Sequence, residues 1–179
     1  IFYVYCFLSS YSLTALYRMC AAFSPGFNEA IRFSVLSLNV LIIWVGYVLR
    51  RPQMNWLIWL SYAQPISYAF EGFLANELNY PIDCAPQQIV PFGQLRDAAF
   101  QTCSLTGGEP GSVVVQSADY LSVTFGYSRS HIGRNVGVMF AFSVLYLIPT
   151  VIGAEIMNFG GAGGGVTVFA RTKAAKAKL

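Results

Sequence analysis

Apolar and polar positions divide this chain into three long apolar runs, one interrupted apolar run and one polar stretch. Ile1 to Phe23 is apolar over about the ~20 residues needed to cross a ~30 Å hydrocarbon core, and its one charge, Arg18, stands near the far end. Ser24-Pro25-Gly26 breaks that run, and Asn28 and Glu29 suit the first turn of a following helix. The second run, 30–49, has Arg32 at its start and Asn39 near its middle. The third, 136–157, contains Pro149, a residue that kinks helices unless neighbours relieve it. The pattern predicts transmembrane helices at 1–23, 30–49 and 136–157.

Between the second and third runs the pattern changes twice. Residues 54–75 carry Trp56, Trp59, Tyr62, Tyr68, Phe70 and Phe73, are broken by Pro65 and include Glu71. Aromatic rings favour the membrane interface and proline ends a straight helix, so this stretch reads as a re-entrant segment that dips into a membrane face. Neighbouring helices must cover it, because irregular backbone is not tolerated against lipid. Residues 76–133 are rich in Pro, Gly, Gln, Ser and Asp, with no spanning run. Short β-prone pieces, Ser112 to Val115 and Tyr120 to Phe125, point to a small folded loop domain.

Composition supports the membrane reading. Of 179 residues, 55% are hydrophobic and 11% charged, which excludes an ordinary soluble domain. The chain begins with Ile1 inside an apolar run, without an initiator Met or a basic stretch before a cleavage site, so it is expected to be an internal piece of a longer protein. Three spans put Arg18, Arg32, Arg171, Lys173, Lys176 and Lys178 on one side and Asp83, Asp97, Glu109 and Asp119 on the other. The basic side is then cytosolic, which makes 50–134 extracellular and 158–179 cytosolic. Arg50 and Arg51 stand on the wrong side, with Glu71 or Glu77 as available counter-ions.

Candidate chemistry is sparse. Asn39 at bilayer depth needs a partner, either a neighbouring helix or a water-filled path, and Leu38, Ile42 and Val45 share its face. Cys84 and Cys103 in a compact polar loop read as a disulfide if the loop is outside, which would contribute about 3 kcal/mol by closing a loop of roughly 20 residues. Zinc is the competing reading, and His131 is the one histidine available to it. Cys6 and Cys20 are packing thiols of the first span. The glycine run 160–165 is followed by Val166, where a phosphate loop needs Lys and then Ser or Thr, so 160–179 reads as a linker with a basic tail. A membrane-embedded hydrolase would need convergent titratable groups at depth, and only Glu71 and Glu155 come near, both toward the membrane faces. A membrane structural or interaction protein with a disulfide-bonded extracellular loop is the alternative class. Its tetraspan form would need a fourth span and an adjacent cysteine pair followed by glycine in the loop.

The succession Gly46-Tyr47-Val48, Met54-Asn55-Trp56, Trp59, Ser61-Tyr62, Pro65, Tyr68-Ala69-Phe70-Glu71 and Asn76-Glu77, followed by Cys84 and Cys103, resembles the last extracellular loop of G-type ABC exporters. Gly107-Gly108-Glu109-Pro110-Gly111, Asp119-Tyr120, Tyr127, His131 and Arg134-Asn135-Val136-Gly137 are similar to fungal pleiotropic-drug-resistance transporters, most like the membrane domain of their N-terminal half. Val168-Phe169-Ala170-Arg171 resembles the start of their linker to a second ATPase domain.

The resemblance implies an all-α membrane protein: the fourth, fifth and sixth helices of a six-helix half, a re-entrant segment and an extracellular loop closed by Cys84 with Cys103. It implies ATP-driven efflux of hydrophobic drugs or xenobiotics across the plasma membrane. ATP and Mg would be bound by ATPase domains outside this chain, with neither a cofactor nor a catalytic residue in it. The implied partners are the lipid bilayer, the drugs and the remaining helices and ATPase domains of the parent, with no nucleic acid. Asn39 and Ile42 match positions lining the drug cavity, and Tyr47 and Val48 match a hydrophobic plug at its exit, here aromatic and β-branched instead of two leucines. Gly133 stands where the family commonly has Trp.

Overall fold

The computed structural model describes residues 1–91 and 100–156. The glycine run, the basic tail and Asp97 lie outside the described residues. The helices are α1 (Phe2–Ala22), α2 (Phe27–Trp44), α3 (Ile58–Tyr62), α4 (Pro65–Glu77), α5 (Ser117–Phe125) and α6 (Ile132–Ile156).

α1 and α6 run side by side in the same direction, and polar groups set their register. The Tyr5 hydroxyl donates to the Ile132 carbonyl at 2.7 Å, Ser12 and Ser143 share a hydrogen bond of 2.7 Å, and at the far end Gly153 lies against Phe23. α4 packs across the starting ends of both helices. Gly72 comes so close to the Tyr5 ring that a side chain there would collide with it. Tyr5, Leu8, Tyr68, Ala69 and Met139 form the buried core of this junction, flanked by Phe73, Val136 and Phe142.

Among the described residues two helical stretches are long and apolar enough to cross a membrane, Phe27–Trp44 and Arg129–Ile156. α1 has 21 residues, a spanning length, but its serines, tyrosines and Arg18 keep it less apolar than the other two. The expected second span is shorter than the apolar run that predicted it. α2 ends at Trp44, and residues 45–49 are turn and bend, so Tyr47 and Val48 lie beyond the helix. Gly46 turns the chain with φ 105°, and the Tyr127 hydroxyl occupies the place a side chain at 46 would take.

The interrupted stretch forms two helices, α3 and α4, separated at Ala63 and Gln64, with Pro65 in the first turn of α4, where its missing N–H costs nothing. The loop domain holds two antiparallel pairs. Strand β1 (Ile82–Asp83) pairs with β4 (Val114–Val115), and β2 (Ile89–Val90) pairs with β3 (Thr102–Cys103). Cys84 and Cys103 are joined in a disulfide, with their Cα atoms 6.1 Å apart. Tyr120 to Phe125 is helical, against the expected strand. Asp119 in the first turn and Gly126 in the left-handed conformation at the end override the β-branched content of Val123 and Thr124. Pro149 lies inside α6, which continues through it to Ile156.

Candidate functional site

Two regions of the sequence reading meet at the loop-domain end of the helices. The first is α2 and its continuation. α2 buries Leu41 alone, and Leu36, Leu38, Val40, Ile42 and Ile43 are exposed. The Asn39 side chain is exposed too. Its Nδ2 donates to the Val35 carbonyl at 2.9 Å, one turn back on its own helix, so within this chain Asn39 has no partner from another helix among the described residues. Tyr47 is 70% exposed and meets Phe70 of α4 edge to face, with ring centroids 6.1 Å apart; Val48 is exposed beside it. The structure therefore places Asn39 and Ile42 on an open helix surface and Tyr47 and Val48 on the irregular segment after it.

The second region is a buried ionic cluster centred on Glu71, which is 0% exposed. Arg51, 4% exposed, reaches it from the turn after α2, and Nη1 donates to Glu71 Oε2 at 2.9 Å. Nη2 donates to Ser67 Oγ at 3.0 Å, Nε donates to Ser61 Oγ at 3.4 Å, and the two serines share a hydrogen bond of 2.7 Å. The guanidinium is also held between rings, 4.6 Å from the Tyr127 centroid and 4.9 Å from that of Tyr62. Glu71 Oε1 accepts from His131 Nδ1 at 2.8 Å and from the Ser128 backbone N–H at 3.3 Å. Because a carboxylate only accepts, the His131 nitrogen that faces it carries the proton. Arg134 stands 3.9 Å away.

These contacts decide the charge state of Glu71. Burial pushes its carboxyl up, but the hydrogen bond from His131, the charge and hydrogen bond of Arg51 and the Ser128 N–H outweigh burial, and the group sits below the ordinary carboxylate value of 4.5. Tyr127 goes the other way: burial and the nearby Glu71 charge raise its hydroxyl to about 12, although Arg51 opposes them. Ser61 and Ser67 face Arg51, and among the described residues no serine hydroxyl bonds to the His131 ring. Among the described residues no group of His, Cys, Asp and Glu could hold a metal ion.

Sequence reasoning offered Glu71 or Glu77 to Arg50 and Arg51, and the structure pairs Arg51 with Glu71. It placed Glu71 toward a membrane face, and the structure buries it. Arg50 stays exposed, with its guanidinium 5.6 Å from the Phe125 ring. Ser61, Ser67, Tyr127, Ser128 and His131 were not anticipated as parts of one cluster. The local signal was Arg51 itself, a charge next to a run too apolar to solvate it. Gly133 faces open space, with nothing within 4 Å of where a Cβ would stand.

Comparison with known proteins agrees along nearly the whole chain. A model of the ABC-2 type transporter matches residues 1–78, and a model of the CDR ABC transporter matches residues 90–178. The ABC multidrug transporter atrF of Aspergillus fumigatus is 46% identical over 181 residues, which cover 98% of this chain and 12% of that relative. Its namesake in Aspergillus flavus is 44% identical over 97% of this chain, and the ABC transporter patM of Penicillium expansum is 33% identical over 85%. The chain spans about 12% of the length of the first two relatives. It is an integral membrane protein. The chain belongs to the CDR ABC transporters, and what it matches is part of their membrane domain.

Proposed function

We propose that this chain forms the last three transmembrane helices and the extracellular cap of the first membrane half of an ATP-driven exporter of hydrophobic drugs in the plasma membrane. The observation that carries this reading is α2, an apolar helix with one buried residue. Such a surface must face lipid, other helices or a cargo of similar polarity, and the relatives are multidrug transporters by name. The asparagine on that surface bonds back to its own helix and so remains free to accept from a passing molecule. Apolar aromatic drugs held there by burial and dispersion would be selected broadly, not sharply.

The packing supports a reading in which all three long helices cross. α1 lies against α6 from Tyr5 at one end to Phe23 at the other, so a membrane-spanning α6 carries α1 through the bilayer beside it. α2 connects their far and near sides. With the loop domain outside, 50–134 are extracellular and 158–179 cytosolic, the orientation in which Arg18 and Arg32 lie inside. ATP and Mg act in ATPase domains elsewhere in the parent protein. Tyr47 and Val48 then stand at the drug exit.

The test is Asn39→Ala and Ile42→Ala in the full transporter, expressed in a drug-sensitive yeast. At unchanged surface level, Asn39→Ala is expected to lower resistance to a subset of drugs and weaken their competition with a labelled substrate. If resistance and competition are unchanged, α2 does not line the drug path.

A further inference from the structure

We propose that Glu71 is a positioning residue of the transport cycle: with Arg51 and His131 it forms a latch that fixes the exit segment 45–53 against the start of α6. The inference rests on the reading of Tyr47 and Val48 as exit residues.

The latch joins three parts of the chain, and Arg134 of α6, 3.9 Å from Glu71, adds a second cation on the α6 side. Arg51 comes from the turn that follows α2, Glu71 from the middle of α4, and His131 with the Ser128 N–H from the turn that opens α6. Two routes carry its position to the exit residues. In the first, Arg51 lies on the Tyr127 ring, and the Tyr127 hydroxyl donates to the Val45 carbonyl at 3.4 Å in the space left open at Gly46. In the second, Phe70 precedes Glu71 on α4, and its ring touches both Tyr47 and Tyr127 at centroid distances of 6.1 Å. Both routes end at residues 45–47, directly before Val48.

Its chemistry suits a part that must hold its shape while helices move. A guanidinium buried between two tyrosine rings and bonded to a carboxylate and two serines has one favourable geometry, because every other leaves a buried polar group unpaired. His131 is the exception. Its side chain is 36% exposed, so the cluster reaches solvent at His131, with Arg134, 50% exposed, on the same carboxylate. An exporter whose exit segment is untied from α6 would still bind ATP and drug at their own sites, but hydrolysis would no longer drive the exit in step. The consequence is lost coupling, with assembly retained.

The experiment uses the full transporter reconstituted in lipid nanodiscs and proteoliposomes, with Glu71→Gln, which keeps the shape and a carbonyl acceptor for Arg51, and His131→Gln, at a partly exposed position. Two quantities are read: amide hydrogen exchange in peptides covering 45–53, and the ratio of drug exported to ATP hydrolysed. Exchange over 45–53 is expected to quicken in both variants, while peptides from the Ser12 and Ser143 region stay unchanged. The coupling ratio is expected to fall about tenfold in Glu71→Gln and about threefold in His131→Gln, with the drug concentration for half-maximal export unchanged. A structural defect alone would lower export and hydrolysis together. Unchanged exchange over 45–53 overturns the latch whatever the transport result, and quickened exchange with an unchanged ratio overturns its part in coupling. Absence of export by the unaltered protein would instead defeat the exporter reading, and the exchange result would still decide the latch.

Discussion

α2 and α6 are both apolar helices of membrane length, yet among the described residues only α6 shares hydrogen bonds with another long helix. α6 gives its carbonyls and Ser143 to Tyr5 and Ser12 of α1 and buries Asn135, Met139, Ser143 and Gly153. α2 turns Ser37 and Asn39 back onto its own carbonyls, those of Ser34 and Val35, and buries Leu41 alone. Where lipid is as apolar as the side chains, burial of leucine does little to choose a neighbour, and packing together with hydrogen bonds across helices does the choosing. α6 is therefore committed to α1, and α2 remains available. The ionic latch at Glu71 ties the free helix's end to the committed one.

The largest effect expected from breaking this arrangement comes from Glu71→Leu. It leaves Arg51 buried without a counter-ion, at a cost of about 3–5 kcal/mol. Heat unfolding of the purified transporter should show an early separate transition for the loop-domain end, with α1 and α6 still associated. Acid should do reversibly what the substitution does permanently. The Glu71 carboxyl is held below its ordinary value, so its contribution is complete above 4.5 and is lost as pH falls below that through the lowered folded-state value. Stability that declines with acid in the unaltered protein but not in Glu71→Gln would assign the decline to this group, and identical declines would assign it elsewhere.

The parts legible in the sequence were those set by local pattern. The apolar runs placed α1, α2 and α6, Pro65 and the aromatic content placed the break between α3 and α4, and the paired cysteines in a polar loop placed the disulfide. What escaped depended on residues far apart. The apolar run continues to Leu49 and hides that α2 stops at Trp44, and the group that packs against Gly46, the Tyr127 hydroxyl, is 82 residues from its hydrogen-bond partner Val45. His131 is 60 residues from Glu71 and Ser128 is 57, so the carboxylate's partners could not be read from spacing. α5 is a different kind of miss. Its signals, Asp119 early and Gly126 at the end, are local and were outweighed by the β-branched residues between them.

Gly46→Ala gives the next effect. Alanine at φ 105° is strained, and its methyl group would displace the Tyr127 hydroxyl, for a combined cost of about 1–3 kcal/mol. Because Tyr127 also supports Arg51, the substitution should loosen segment 45–53 from the opposite end to Glu71→Gln. If the two act on one structure, their effects on hydrogen exchange over 45–53 should add to less than their sum.

The smallest effect bears most directly on the contrast between the helices. Ser12→Ala removes the hydroxyl that bridges α1 to the Met139 carbonyl and to Ser143, and Ser143 keeps its own bond to Met139. Interhelical hydrogen bonds of this kind average about 0.6 kcal/mol in membranes, so a loss of that order is expected. Ser37→Ala removes a hydroxyl that bonds within α2, and its loss should cost almost nothing. Unfolding of both variants in the same nanodiscs therefore makes a paired measurement, in which the chemistry removed is the same and only the partner differs. Equal losses would mean that α2 is held by contacts as firm as those of α6, and its open surface would then be a packing face for the rest of the transporter instead of a wall for cargo.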